Sequence, residues 1–298
     1  MESSTTCAAF FVIRISVHHR RCKVFLFICA GNLTGYFCRM TRTLIALILL
    51  CTASACFAQV RLSKLVIRPH QTYTLDSTDI LVADSLIMMD SSRIRLNTLK
   101  PENVIRAQVA VIGNNCWIEG RGVNGGKGSD GAHGTSPIGP CRNGTPGRNG
   151  LRGLSGGPGI NLFLYIDKIH LTGKLHIDLS GGNGGDGGNG GDGGGGGPGT
   201  THCNGGNGGD GGNGGQGGDG GRGGVLTIGG REAVIVHALV GNLIFVKNGG
   251  GSFGYGGLRG AGGPPGLGPN RKHGRAGEHG ADGGYGQPGD SGAVILDE

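Results

Sequence analysis

The sequence predicts a mostly β protein in which stacked strand rungs carry three polyglycine II hairpins packed as a bundle. Three observations predict it. Apolar segments of one strand–turn–strand form recur along the chain, glycine falls at every third position through three long stretches, and each stretch has mirror-image arms about a turn before an apolar strand resumes. With 69 glycines among 298 residues, a conventional packed core accounts for only part of the molecule.

In chain order, residues 1–39 fit no export rule and read as an over-extended N-terminus, with the true start at Met40. From there "MTRTLIALILLCTASACFAQ" has a basic beginning, an apolar stretch from Leu44 to Leu50 and small residues before Gln59, so residues 40–58 read as a signal peptide cleaved after Ala58. The alternative is a lipid anchor at Cys56 within "ASAC", to which Ala53 is a poor fit. The apolar run is too short and too broken for a bilayer span, so the mature chain is expected to have no integral membrane span and to be secreted, or held at the cell surface or in the periplasm. The charge agrees: residues 1–58 carry Arg14, Arg20, Arg21, Lys23, Arg39 and Arg42 against Glu2, which is +5 of the formal +7 and leaves +2 from Gln59 onward. No basic stripe with interleaved aromatics remains to bind nucleic acid.

Residues 59–119 form an N-terminal β region, followed by β rungs at 160–180 and 225–248 and a last strand at 293–298. Four passages carry the rung pattern: "IMMDSSRIRLNT" from Ile87, "VIGNNCWIEGRG" from Val111, "HLTGKLHIDLSG" from His170 and "ALVGNLIFVKNG" from Ala238. The last two align with Leu171 on Leu239, Gly173 on Gly241, Leu175 on Leu243 and Gly181 on Gly249. A parallel β-helix and stacked antiparallel hairpins are both open, because "LTGK" and "LVGN" also read as tight turns.

Between these rungs lie the glycine-rich hairpins, at 120–159, 181–224 and 249–292. A period of three is that of polyproline II, which puts every third side chain in one column, and a glycine column lets another backbone approach closely. Such helices have no internal hydrogen bonds, so neighbouring arms must satisfy their N–H and C=O groups. The middle hairpin repeats GGN and GGD with two glycine columns, while the outer two carry one; an arm sandwiched on two sides needs two bare faces, and the third column of Asn, Asp and Gln is expected to face water. A collagen-like triple helix needs three parallel chains and more than the 11 prolines present. A disordered linker has no reason to keep a period of three or mirrored arms.

The "GGNGGD" and "GRNGLRGLSGGPG" repeats resemble the polyglycine II bundles of springtail antifreeze proteins and of some phage tail-fibre adhesins. The resemblance is architectural and implies extracellular recognition or ice binding, with no residue role transferred. The PGRS repeats of mycobacterial surface proteins are similar in composition, but no helical domain of their kind precedes these.

Cys141 and Cys203 both fall in hairpin turns, "GPCRNG" and "THCNGG", and are expected to form a disulfide if the first two hairpins stack in an exported protein. Cys116, beside Trp117, reads as a small buried residue. Asp186, Asp192, Asp210 and Asp219 partly match a calcium-binding nonapeptide, but its aliphatic position is glycine here; no cofactor is expected, with calcium as the alternative. Stacked rungs bring Arg95, Glu119 and Asp178 into one column, which makes a polysaccharide-active enzyme the other alternative. His133, His202, His273 and His279 lack metal-ligand spacing. The projecting residues are too varied for one ice plane. The expected function is therefore a non-enzymatic structural or adhesin-like surface scaffold, its partner a surface glycan or protein met by the hairpin tips.

Overall fold

The computed structural model describes residues 16–17, 20–21, 60–75 and 78–297. The chain divides into two units, Met1–Phe57 and Ala58–Glu298. In the first, β1 (Ser16–Val17) pairs antiparallel with β2 (Arg20–Arg21). The signal peptide expected at 40–58, with Cys56, lies outside the described residues.

The second unit is a two-sheet solenoid. One sheet holds β3 (Val60–Ile67), β5 (Ile80–Met88), β7 (Glu102–Ile112), β9 (Asn161–Leu171), β11 (Leu226–Gly229) and β13 (Val294–Leu296). The other holds β4 (Thr72–Thr74), β6 (Arg93–Arg95), β8 (Cys116–Glu119), β10 (Leu175–Asp178) and β12 (Ile244–Lys247). Every pairing in both sheets is parallel, and the chain alternates between them. The "LTGK" turn therefore passes the chain from β9 in one sheet to β10 in the other instead of folding it back beside its own strand, and the antiparallel alternative falls. Alternate residues point inward, so Leu81, Ile105 and Leu164 meet Ile94, Ile118 and Ile177 in one continuous apolar core.

The fourth passage departs from expectation twice. Leu175 pairs with Ile244 and not with Leu243, a shift of one residue. The shift puts Ile244 in the core and leaves Leu243 at the surface, because strand side chains alternate faces. Ahead of it, "AVIVHA" forms α1 (Ala233–Ala238) inside the stretch 225–248 expected as a β rung. β11 stops at Gly229 while β9 continues to Leu171, so the far half of β9 lacks a strand neighbour on that side; Glu232 Oε2 accepts the Ile169 N–H at 2.8 Å and Val236 of α1 is buried.

All three hairpins leave from the same corner of consecutive rungs, after β8, β10 and β12, and return into β9, β11 and β13. Their outgoing arms extend the short sheet and their returning arms extend the long one. The ladder runs on without interruption: Gly120 N–H donates to Asp178 C=O, then Gly122, Gly125, Gly128, Gly131 and Gly134 donate to Ser180, Asn183, Asp186, Asn189 and Asp192. One bond every third residue is the signature of a threefold helix, so the arms are polyglycine II as expected and not a disordered linker.

Six arms pack in two layers of three. Each middle arm has four neighbours: Gly184 N–H donates to Ser252 and Gly185 N–H to Leu154, while Asn183 C=O accepts from Gly125 and Gly185 C=O from Gly218. The two layers close to backbone contact, whereas two sheets with side chains between them sit about 10 Å apart. The two bare columns serve different approaches: a Cβ on Gly187 falls on the Gly215 carbonyl oxygen of the facing layer, and one on Gly188 falls on the Ser129 carbonyl oxygen of the neighbouring arm in the same layer. The two glycine columns of the middle hairpin are thus explained as predicted.

Candidate functional site

The distal end of the bundle, roughly 50 Å of arm beyond the solenoid at 3.1 Å per residue, is where three irregular turns meet. Cys141 and Cys203 are joined in a disulfide with Cα atoms 6.0 Å apart, linking the first and second tips as the sequence predicted. Cys141 N–H donates to Pro198 C=O at 2.8 Å, and Lys272 Nζ reaches Thr201 C=O at 3.2 Å, so the third tip joins the other two. Three non-glycine residues here hold positive φ: Cys141 at 61°, Asn270 at 54° and Arg271 at 61°. His70, Ser91 and Asn115, in turns of the solenoid, hold the same left-handed backbone, so at the tips it marks tight turns fixed in one conformation.

The tip also concentrates charge of one sign. Distal to the level of Gly134, Gly147, Gly194, Gly209, Gly263 and Gly277, the three turns hold Arg142, Arg271, Lys272 and Arg275 and no Asp or Glu. The carboxylates of the bundle lie nearer the solenoid, among them the four Asp residues weighed as calcium ligands. Those four are not brought together. Asp186 Oδ1 accepts the Tyr255 N–H at 2.8 Å, Asp192 Oδ1 the Ala261 N–H at 2.7 Å, Asp210 Oδ1 the Glu278 N–H at 2.8 Å and Asp219 Oδ1 the Gln287 N–H at 2.8 Å. Among the described residues no three His, Cys, Asp or Glu side chains converge as a metal site would require.

The third column of the middle hairpin therefore does more than face water. Its side chains are largely exposed, yet Asn183, Asn189, Asn207 and Asn213 also accept a neighbouring arm's N–H through Oδ1. These are the amides that the glycine ladder leaves over. Sequence reasoning missed the histidines' part in the same scheme: His133 Nδ1 accepts from Asp192 N–H, His273 Nδ1 from Gly268 N–H and His279 Nδ1 from Gly262 N–H. The signal was present, since His133 stands three residues after Asp130, which caps Asn189 in the same column. His202, at the second tip, instead contacts the Thr201 hydroxyl.

The outer face of the short sheet holds the other predicted column. Arg95, Glu119 and Asp178 are in register on adjacent strands, with Lys247 next. Glu119 is paired with Arg93 at 2.6 Å and lies 3.8 Å from Arg95, and Asp178 accepts from the Ser180 N–H and hydroxyl. Beside that column Trp117, His176 and Phe245 stack at centroid distances of 4.5 and 5.5 Å, with the Arg93 guanidinium over Trp117. Stacked rings spend their faces on one another and offer edges to solvent. Cys116 is fully buried, as expected, with Sγ directed at Met89 C=O.

No family model matches the chain, and no curated protein matches it. Among solved structures, the chain is similar to the springtail antifreeze protein of Granisotoma rainieri, a nine polyproline type II helical bundle whose crystal waters match the ice lattice. The identity is 26% over 56% of this chain and 94% of that one, with a TM-score of 0.12. So low a score gives the resemblance no weight in placing the arms, which rest on their own hydrogen bonds. Among the described residues no helix is long and apolar enough to cross a membrane.

Proposed function

We propose that this protein is an exported, non-enzymatic, adhesin-like scaffold: a β-solenoid that holds a polyglycine II bundle outward and presents its three braced tips to a partner at the cell exterior. The observation that carries this reading is the convergence of the three tips under one disulfide, Cys141–Cys203, at the far end of the bundle. A disulfide of this kind persists in oxidising compartments, which agrees with the signal-like segment before Gln59. The tips hold the irregular, non-periodic sequence, and loops fixed on a rigid support are where recognition concentrates. On the short sheet, Glu119 and Asp178 are engaged by Arg93, Arg95 and Ser180, a pattern that favours a structural ladder over a pair of free catalytic acids.

The test starts from the full chain with a C-terminal tag. The expected product is exported, begins at Gln59 and has its two tip cysteines oxidised. Beads carrying it through the tag are then passed over immobilised polysaccharides and cell-surface proteins. Retention that disappears when the three tip turns are replaced by Gly-Asn turns supports the reading. Retention in the cytosol, adhesion indifferent to the tips, or polysaccharide turnover abolished by Glu119→Gln overturns it.

A further inference from the structure

We infer that the bundle tip docks on an anionic lipid surface, with its cations on the phosphate headgroups and Ile138 entering the interface. This rests on the adhesive reading above and names the partner class of the same tip. Two independent features of the tip carry it.

The first is charge. Arg142, Arg271, Lys272 and Arg275 gather on one end with no carboxylate at their level, while the bundle's acids lie nearer the solenoid. The mature chain has almost no net charge, so a one-signed end is a local arrangement and not a by-product of composition. Basic side chains crowded at the end of a projecting arm are attracted to a negatively charged surface and far less to a neutral one.

The second is apolar. Ile138 is 98% exposed, the highest value of any large hydrophobic residue described, and it stands at the very turn of the first hairpin; Leu267, at 70%, flanks the third. At that exposure the Ile138 side chain adds nothing to the packing of the fold. An acidic polysaccharide would account for the cations but gives an isolated isoleucine nothing to contact. A bilayer interface accounts for both, since interfacial binding combines buried apolar side chains with cations at the headgroup level. The backbone holds the isoleucine in place: Gly139 has φ 117°, Cys141 has φ 61°, and Cys141 is bonded to Cys203 and Pro198.

The experiment is co-sedimentation of the exported, oxidised chain with vesicles of phosphatidylcholine alone and of phosphatidylcholine mixed with phosphatidylglycerol, at low and high salt. Binding is expected to the mixed vesicles only, to weaken with salt, and to fall by roughly tenfold or more in the variant Arg142→Gln, Arg271→Gln, Lys272→Gln. Ile138→Ser, at a site that makes no packing contact, is expected to weaken binding several-fold with an unchanged thermal melt; the melt is recorded for every variant. Equal binding to both vesicle types, or binding unchanged in the cation variant or in Ile138→Ser, overturns the proposal. So does sedimentation with polygalacturonate but not with vesicles. If vesicles are ignored while tip-dependent retention on the immobilised panel persists, the lipid assignment falls and the adhesive reading stands; if both are lost, both fall.

Discussion

Asp186 Oδ1 accepts the backbone N–H of Tyr255 at 2.8 Å, reaching from a middle arm to the outer arm beside it. The bond is one of a column, repeated by Asn183, Asn189 and Asp192 toward Ser252, Leu258 and Ala261. What the column requires is a short side chain with an sp² oxygen, which Asn and Asp share, and both types accept the same N–H along the arm. Asp186→Asn is expected to leave the melting temperature unchanged, and Asp186→Ala to lower stability by at most about 1 kcal/mol at this exposed site. Denaturant melts of both variants check it; equal destabilisation would assign the residue's role to its charge instead.

The glycine columns predict a sharper contrast. Gly187 and Gly188 face different neighbours, the carbonyl oxygens of Gly215 and Ser129, and alanine at either position is expected to cost about 3 kcal/mol or more because backbone on both sides must move. Gly284, in an outer arm, has nothing within 4 Å of where a Cβ would stand. Gly284→Ala is expected to be neutral, or to stabilise by about 0.4–1 kcal/mol by restricting the unfolded chain. Thermal melts that rank the three substitutions otherwise would contradict the packing.

These contrasts also mark what the sequence makes legible. Periodicity is a local property, so the threefold arms, their mirrored layout and the doubly bare middle hairpin can be read directly from positions 181–224. The proximity of Cys141 and Cys203 followed from stacking those hairpins. Strand direction and register are different in kind, because the partner of Leu175 lies beyond a whole hairpin, at Ile244, and only the core decides between it and Leu243. The helix at Ala233–Ala238 was hidden for a similar reason: "AVIV" has strand propensity, and the truncation of β11 that leaves room for a helix is a tertiary fact. Tip chemistry was illegible until three distant turns were placed side by side.

The disulfide gives the third prediction. It closes a separation of 62 residues, and removing it by Cys141→Ser or by reductant is expected to lower stability by about 2–4 kcal/mol, mainly by freeing the unfolded chain. The arms' polyproline II circular dichroism is expected to persist at low temperature, since their hydrogen bonds do not pass through the tip. A melt indifferent to reductant, with both cysteines shown oxidised beforehand, would count against the brace.

Asp130 supplies a prediction in pH. Its carboxylate accepts the Asn189 N–H at 2.7 Å and lies 3.1 Å from Lys127 Nζ; the backbone hydrogen bond from Asn189 first, and then the hydrogen bond and charge of Lys127, hold its pKa below the ordinary 3.8. A carboxyl whose pKa is depressed on folding adds stability at pH above its unfolded value, and that contribution is lost as pH falls through the lower, folded value. The bundle is therefore expected to weaken only below about pH 3.8 on account of this group. Carboxyl-carbon NMR titration of Asp130 is expected to give a midpoint under 3.8, and Lys127→Met to leave part of the depression in place, because the amide of Asn189 remains. A midpoint at or above 3.8, or one restored fully by Lys127→Met, would show that the Asn189 amide does not hold the carboxylate and that the cap on this arm is not formed.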